Sequence, residues 1–465
     1  MIRLIKGEFK KIFHKKSLYI MIVLFLLFTG LTNFVYKSMN SPWVDDTVNI
    51  EEYKNINNNL DLTKSEDLEE YVSNLVIIET EELKTEYKTE NQKYLINNNY
   101  YDILYNTYVA KYITKDEAEY KELDNYRATV LEKIKNDDWE YFAKKSLDNR
   151  KEALEKASAS NKVRLEEMVR LAEYRIANKV NYASDNYLNN AILELEENMV
   201  EYYNLKAKDT LTKDEKGRFK NIEADYYQNH YILDHQVDAN NVSNLKSVLE
   251  NFHSEFSLFI LIFIIMISGV IVSEEFSKGT IKSLLTKPYT RTTILLSKLL
   301  TILIFIPLLL VFMIASELII GGIILGFNSL NIPVLIFNSS THTLLTINIF
   351  VYLIKSIIAV LPMYLILALV CFLLSTVTAS TSAAITITFL FYLAGNIVNN
   401  LAMVYNIPLL KFFVSLHWDF SYLVNYTTNP YKMATWTSVL VLILYSVVML
   451  CIAFVYFNKK DVKNI

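Results

Sequence analysis

Six stretches without a single Asp, Glu, Lys or Arg constrain this 465-residue chain more than any other feature: 17–36, 256–273, 299–316, 356–374, 383–404 and 433–457. The hydrocarbon core of a bilayer, ~30 Å thick, takes about 20 apolar residues of helix at 1.5 Å each, so every one of these stretches can cross it. The expected fold class is an all-α membrane protein with six transmembrane helices. The fifth stretch is the most polar, carrying Asn396, Asn399 and Asn400.

Charge is distributed just as unevenly. Residues 37–255 hold 29 Lys/Arg and 44 Asp/Glu, a net of −15, while the remainder carries +11; the total of −4 is a cancellation. Nothing in that balance asks for nucleic acid as a partner. Two cysteines, Cys371 and Cys451, exclude a disulfide scaffold, and a 52% apolar composition excludes a disordered acidic tail. Basic residues cluster before the first stretch (Arg3, Lys6, Lys10, Lys11, Lys15, Lys16), after the second (Lys278, Lys282, Lys287, Arg291, Lys298) and after the sixth (Lys459, Lys460, Lys463). With six crossings all three clusters fall on one side, which the positive-inside rule makes cytoplasmic. Both termini are then inside and residues 37–255 extracytoplasmic. The first stretch reads as an uncleaved anchor, because its apolar run is long and no small-x-small site follows it.

The expected organisation is an interfacial helix at 1–16, spans at 17–36, 256–273, 293–317, 344–374, 383–404 and 433–457, an outer helical domain at 37–255, and a cytoplasmic coupling loop at 274–292. Short re-entrant or interfacial outer segments are expected at 318–343, where Gly321, Gly322 and Gly326 cluster, and at 405–432, with a cytoplasmic tail at 458–465. Lys298, Glu317 and Lys355 are expected at span edges, with Pro307 and Pro362 kinking their spans.

Between Pro42 and Pro288 there is no proline, and between Gly30 and Gly269 the only glycine is Gly217. A stretch so free of breakers prefers helix. Apolar residues recur at helical spacing, as at Leu165, Met168, Ala172, Ile176 and at Ile192, Leu195, Met199, Tyr203. Breaks are expected at 57–59, 97–99 and 209–216. The acidic, Tyr-rich domain reads as a gate or docking surface for cationic amphipathic molecules; the plainer reading is a solvated helical surface. His230, Asp234, His235 and Asp238 have a spacing compatible with metal ligands, but without a second cluster a structural role is preferred. No metal and no catalytic arrangement is expected.

Ile2, Ile5, Phe9, Ile12 and Phe13 share one face of an N-terminal amphipathic helix, fit to lie on membrane lipids. After the second span comes Glu274, Glu275, Phe276, Ser277, Lys278, Gly279, Thr280, Ile281, Lys282, Ser283, Leu284, Leu285, Thr286, Lys287, Pro288 and, three residues on, Arg291. A short helix stopped at Lys287-Pro288 would offer Ile281, Leu284 and Leu285 as an apolar ridge to a partner's groove.

That string, with Ile294 to Lys298 behind it, resembles the permease subunits of type-2 ABC transporters. The stretch Glu8-Phe9-Lys10-Lys11 and the ending Phe457-x-Lys459-Lys460-Asp461 are similar to theirs as well. The resemblance implies that Glu274, Glu275, Lys278, Gly279, Thr280, Ile281, Leu284, Leu285, Pro288 and Arg291 belong to connecting and coupling helices that meet an ABC ATPase. It further implies two copies of that ATPase and a dimer with a second permease copy or a paralogue. ATP and Mg would be bound by the partner, with no cofactor in this chain, which has no Gly-x-x-x-x-Gly-Lys-Ser/Thr loop. The chain is therefore read as a transport subunit and not as an enzyme.

The expected function is an exporter of the bacterial plasma membrane for an amphipathic substrate: an antimicrobial or secreted peptide, a lipid-like compound or a drug. Asn396, Asn399 and Asn400 would line its pathway or join helices. The alternative from a different class is a membrane receptor or sensor whose outer domain binds a ligand and signals through the 274–292 loop.

Overall fold

The computed structural model describes residues 1–39, 48–87, 89–286, 288–405 and 407–460. Lys287, Asp461 and Lys463 lie outside the described residues. The chain separates into two compact units, Met1–Ser41 with Asn241–Ile465, and Pro42–Asn240.

In the first unit, six helices among the described residues are long and apolar enough to cross a membrane: Lys16–Ser38, Phe252–Ser277, Arg291–Leu325, Ile349–Thr378, Thr381–Val404 and Thr435–Lys459. The fold is that of an all-α membrane protein, with one small antiparallel hairpin, Val334–Asn338 against Thr343–Ile347, pairing Val334 with Ile347. The second and fourth spanning helices are the most buried, at 67% and 56%, and the fifth and sixth the least, at 17% each. The second and fourth pack most extensively on one another. Small residues allow this approach. Ser375 Oγ donates to Gly269 O at 2.7 Å and accepts from Ser273 N at 2.9 Å, while a Cβ on Gly269 would meet Cys371 Sγ of the fourth helix at 3.2 Å.

Several boundaries move. The third spanning helix runs unbroken for 35 residues to Leu325, through Gly321 and Gly322, which were expected to open a re-entrant element at 318–343, and stops at Gly326. Glycine costs a helix only about 1 kcal/mol, and here its bareness is needed. A Cβ on Gly321 would lie 2.6 Å from Glu317 Oε1 and 2.8 Å from Asn33 Oδ1. The second spanning helix starts at Phe252, and the short helix before it, Leu245–Glu250, buries Leu245, Val248 and Leu249 in the membrane unit. The inter-span unit accordingly closes at Asn240 and not at 255. The fourth helix follows the hairpin and begins at Ile349. The 405–432 segment holds two 3-10 turns, Pro408–Phe412 and Val414–His417, and a single helical turn, Ser421–Val424.

Every regular element among the second unit's described residues is a helix. Its six long helices are Ser65–Glu86, Glu117–Lys135, Trp139–Glu155, Ala159–Ala177, Tyr187–Lys206 and Lys213–His235. Side-chain caps start four of them, from Asp116, Asp138, Asn186 and Thr212, each accepting from backbone N–H groups that the first turn leaves unpaired. Helix ends do fall at Asn59 and at Lys206, but 97–99 is not a break. It lies in a π turn, Ile96–Tyr100, with helix on both sides.

Candidate coupling site

Two carboxylates, Glu274 and Glu275, sit in the last turn of the second spanning helix, at the negative end of its dipole. Acids there are destabilised unless cations answer them, and four lysines do. Glu275 Oε1 accepts from Lys11 and, at 3.4 Å, from Lys298. Lys298 Nζ also donates to Glu8 Oε2 at 3.0 Å and to Ile271 O at 2.7 Å. Lys11 reaches Glu8 Oε1 at 3.2 Å. Glu274 pairs with Lys15 and, at 2.6 Å, with Lys278. Burial works against the charge on Lys11, but Glu275 and Glu8 outweigh it and its pKa is raised.

This network joins three parts of the chain: the N-terminal helix Ile2–Phe13, the end of the second spanning helix and the start of the third. Lys298 is fully buried, with Glu8 and Glu275 only 6% and 7% exposed. Lys298 is thus no edge marker; its ammonium is an internal tie between two carboxylates. The buried stripe of the N-terminal helix is Leu4, Glu8 and Ile12, while Ile2 and Phe13 are exposed. The apolar face read from sequence is therefore split, part against the protein and part free for lipid.

Gly279 closes the second spanning helix with φ +68, a conformation only glycine takes without strain. Thr280, next to it, donates its hydroxyl to Glu275. A five-residue helix, Ile281–Leu285, follows, and it turns two of the three expected ridge residues inward; the side chain of the third, Leu285, lies outside the described residues. Ile281 is fully buried and Leu284 is 7% exposed, both within the membrane unit's core. Among the described side chains, the surface left for a partner is polar: Lys278, Gly279, Thr280, Lys282 and Ser283, with Thr286 and Pro288 beyond. An amphipathic turn needs its apolar side covered, and here the bundle itself covers it.

Arg291 opens the third spanning helix and donates from Nη1 to the carbonyls of Phe457 (3.4 Å), Asn458 (3.1 Å) and Lys460 (2.8 Å). Those are carbonyls that the end of the sixth helix cannot satisfy internally. Lys460 in turn lies 4.3 Å from the ring centre of Phe276. The loop, the N-terminal helix and the end of the last helix are therefore one connected polar assembly.

The other candidates separate from it. Among the described residues no hydrogen bond links Asn396, Asn399 or Asn400 to another helix, and Asn399 Oδ1 is buried without a partner. Glu317, read as an edge residue, is fully buried and accepts from Asn33 Nδ2 of the first spanning helix at 2.9 Å. His230 contacts Glu167 at 2.7 Å and His235 contacts Tyr231 O at 3.1 Å; among the described residues no group of three metal-binding side chains forms. Glu8 was visible in sequence only as part of a family-like string, Lys11 as part of that string and of the N-terminal basic cluster, and Asn33 was not singled out. Polar residues on predicted spans, paired by opposite charge, were the signal that could have found them.

The model of the family described as ABC-2 family transporter protein matches residues 2–462, and the chain belongs to that family. The uncharacterized protein YhcI of Bacillus subtilis (strain 168) is 27% identical over 246 residues, 51% of this chain and 75% of YhcI. No solved structure matches. Membership gives a transport role in a multi-pass membrane protein and implies, in general, an ABC ATPase as partner.

Proposed function

From that membership we propose that the chain is the transmembrane permease subunit of an ATP-driven exporter, with ATP hydrolysed by two copies of a separate ATPase subunit. In this reading both termini and the loop around Ile281–Leu285 face the cytoplasm of a bacterial cell, and the Pro42–Asn240 unit lies outside. A second copy or a paralogue completes a dimer, and the cargo is amphipathic: a peptide, a lipid-like compound or a drug. The thinly covered fifth and sixth spanning helices leave apolar surface for lipid or for that second permease.

The observation that carries the reading is the buried Glu8–Lys298–Glu275 tie. A push on the exposed Lys278–Ser283 surface has a stiff route into the second and third spanning helices, because charges in a dry site hold one geometry. ATPase stimulation by the permease in lipid vesicles, with the ATPase that copurifies, is the test. Lys282→Glu with Ser283→Glu changes only the exposed surface and should leave folding intact while reducing stimulation at least tenfold. Unchanged stimulation would remove this surface from the coupling route.

A further inference from the structure

Within the Pro42–Asn240 unit, a cavity of about 150 Å³ opens between Arg150, Arg175, Tyr94, Tyr182, Asn98 and Glu196. Arg175 is 3% exposed. Its Nη1 donates to Val180 O (3.4 Å), Asn181 O (3.2 Å) and Asn189 Oδ1 (2.8 Å), yet its Nη2 has no hydrogen-bond partner among the described residues. A buried guanidinium with an unused donor group is costly, and such groups are rare without a purpose. The guanidinium carbon lies 4.1 Å from the ring centre of Tyr182, and that ring stacks on Tyr94 at 5.1 Å. Burial pushes the pKa of Arg175 down, as expected for a cation short of counter-charge.

The second arginine is already matched: Arg150 Nη1 donates to Glu196 Oε1 at 2.7 Å and to Met168 O at 2.9 Å. The cavity therefore carries one formal positive charge in excess. Its wall also includes Asn98 from the π turn Ile96–Tyr100, a distortion that recurs at functional sites because it re-aims side chains.

Size and charge select the ligand. A volume of about 150 Å³ suits a molecule near the size of benzene and falls below the ~300 Å³ where drug-sized pockets begin. One surplus charge matches a monoanion, and Glu196 disfavours a dianionic phosphate. A guanidinium edge pairs best with the planar fork of a carboxylate, and the Tyr94–Tyr182 stack gives a short apolar body a wall. We propose that this cavity binds a small monocarboxylate, as a free acid or as the C-terminal end of a short peptide, with Arg175 as its anchor. The inference is independent of the transport reading.

Calorimetric titration of the full chain in detergent micelles tests it, using acetate, benzoate, Gly-Ala, the C-terminal amide of Gly-Ala, and phosphate at constant ionic strength. Saturable binding of at least one carboxylate, with the amide and phosphate silent or at least tenfold weaker, is the expected result. Binding of acetate or benzoate alone identifies a free acid; binding of Gly-Ala but not its amide identifies a peptide terminus. Ser146→Leu, which fills the cavity while keeping both arginines, should abolish binding with an unchanged helical circular dichroism spectrum. Arg175→Lys should weaken it at least tenfold. No carboxylate binding, equal binding of acid and amide, phosphate binding as tight as carboxylate, or full binding by Ser146→Leu would each overturn the proposal. If Arg175→Lys does not fold, Ser146→Leu alone decides.

Discussion

Glu275 and Glu167 are buried to the same degree, 7% and 6% exposed, in different units and with opposite kinds of neighbours. Glu275 is answered by cations, Lys11 and Lys298, and by the Thr280 hydroxyl. Glu167 is answered chiefly by uncharged aromatic donors. Tyr226 OH donates to its Oε1 at 2.7 Å and Tyr203 OH to its Oε2, with His230 Nε2 at 2.7 Å and Arg170 at 3.3 Å. The rings are themselves packed, Tyr202 stacking on Tyr226 at 4.2 Å. A charge-for-charge tie is all-or-none, since losing one member strands the other. A fan of hydroxyls degrades by steps. The first suits a joint that must move as a unit, the second a unit that must hold its shape.

The largest test of that contrast is Lys298→Met. It leaves the buried Glu8 and Glu275 with only the half-exposed Lys11 to answer both, and should cost about 3–5 kcal/mol, read as loss of monodisperse protein or a much lower unfolding midpoint in detergent. Adding Glu8→Gln and Glu275→Gln should recover a good part of the loss, because no stranded charge then remains. Native-like unfolding of Lys298→Met alone would dissolve the contrast.

Acid should weaken the Glu167 network in a way a single substitution can isolate. Burial alone would raise the Glu167 pKa, but hydrogen bonds from His230, Tyr203 and Tyr226 outweigh it and bring it to about 2 from an ordinary 4.5. A carboxylate with a depressed folded-state pKa contributes its full stability above the unfolded value and loses it as pH falls toward the folded one. The contribution, roughly 2–3 kcal/mol, should fade between pH 4.5 and 2. Thermal midpoints of the native chain should therefore fall more steeply over that range than those of Glu167→Gln. Parallel slopes would mean that this network adds nothing to the acid sensitivity of the chain.

Tyr226→Phe should have the smallest effect, about 1–2 kcal/mol, since Tyr203 and His230 still serve the carboxylate. A cost as large as that of Lys298→Met would mean this network, too, is all-or-none.

The spanning helices were legible in the sequence because a bilayer imposes a length that an uncharged run either meets or misses. The polar assembly was not, because its partners are remote: Lys298 and Glu8 are 290 positions apart, Glu317 and Asn33 are 284. No local period encodes such pairings. The Ile281–Leu285 turn shows a subtler limit. Its apolar side was evident, but a five-residue helix does not say where its bundle lies, so Ile281 and Leu284 read as a ridge when they are an anchor. In the second unit, the scarcity of Pro and Gly announced helix. Ile96–Tyr100 kept that promise in π form, which residue preferences do not distinguish.

The third spanning helix is fastened twice. Lys298 is locked to Glu8 and Glu275 near its start, and Glu317 is hydrogen-bonded to Asn33 some 19 residues further on, about 28 Å along the axis. Pro307 falls almost midway and leaves the carbonyl one turn before it without its usual donor. The result is a shaft clamped at both ends with its softest section in the middle. A displacement imposed at the lysine clamp is free to spend itself as a bend at Pro307, so the two ends of one helix can answer to different neighbours.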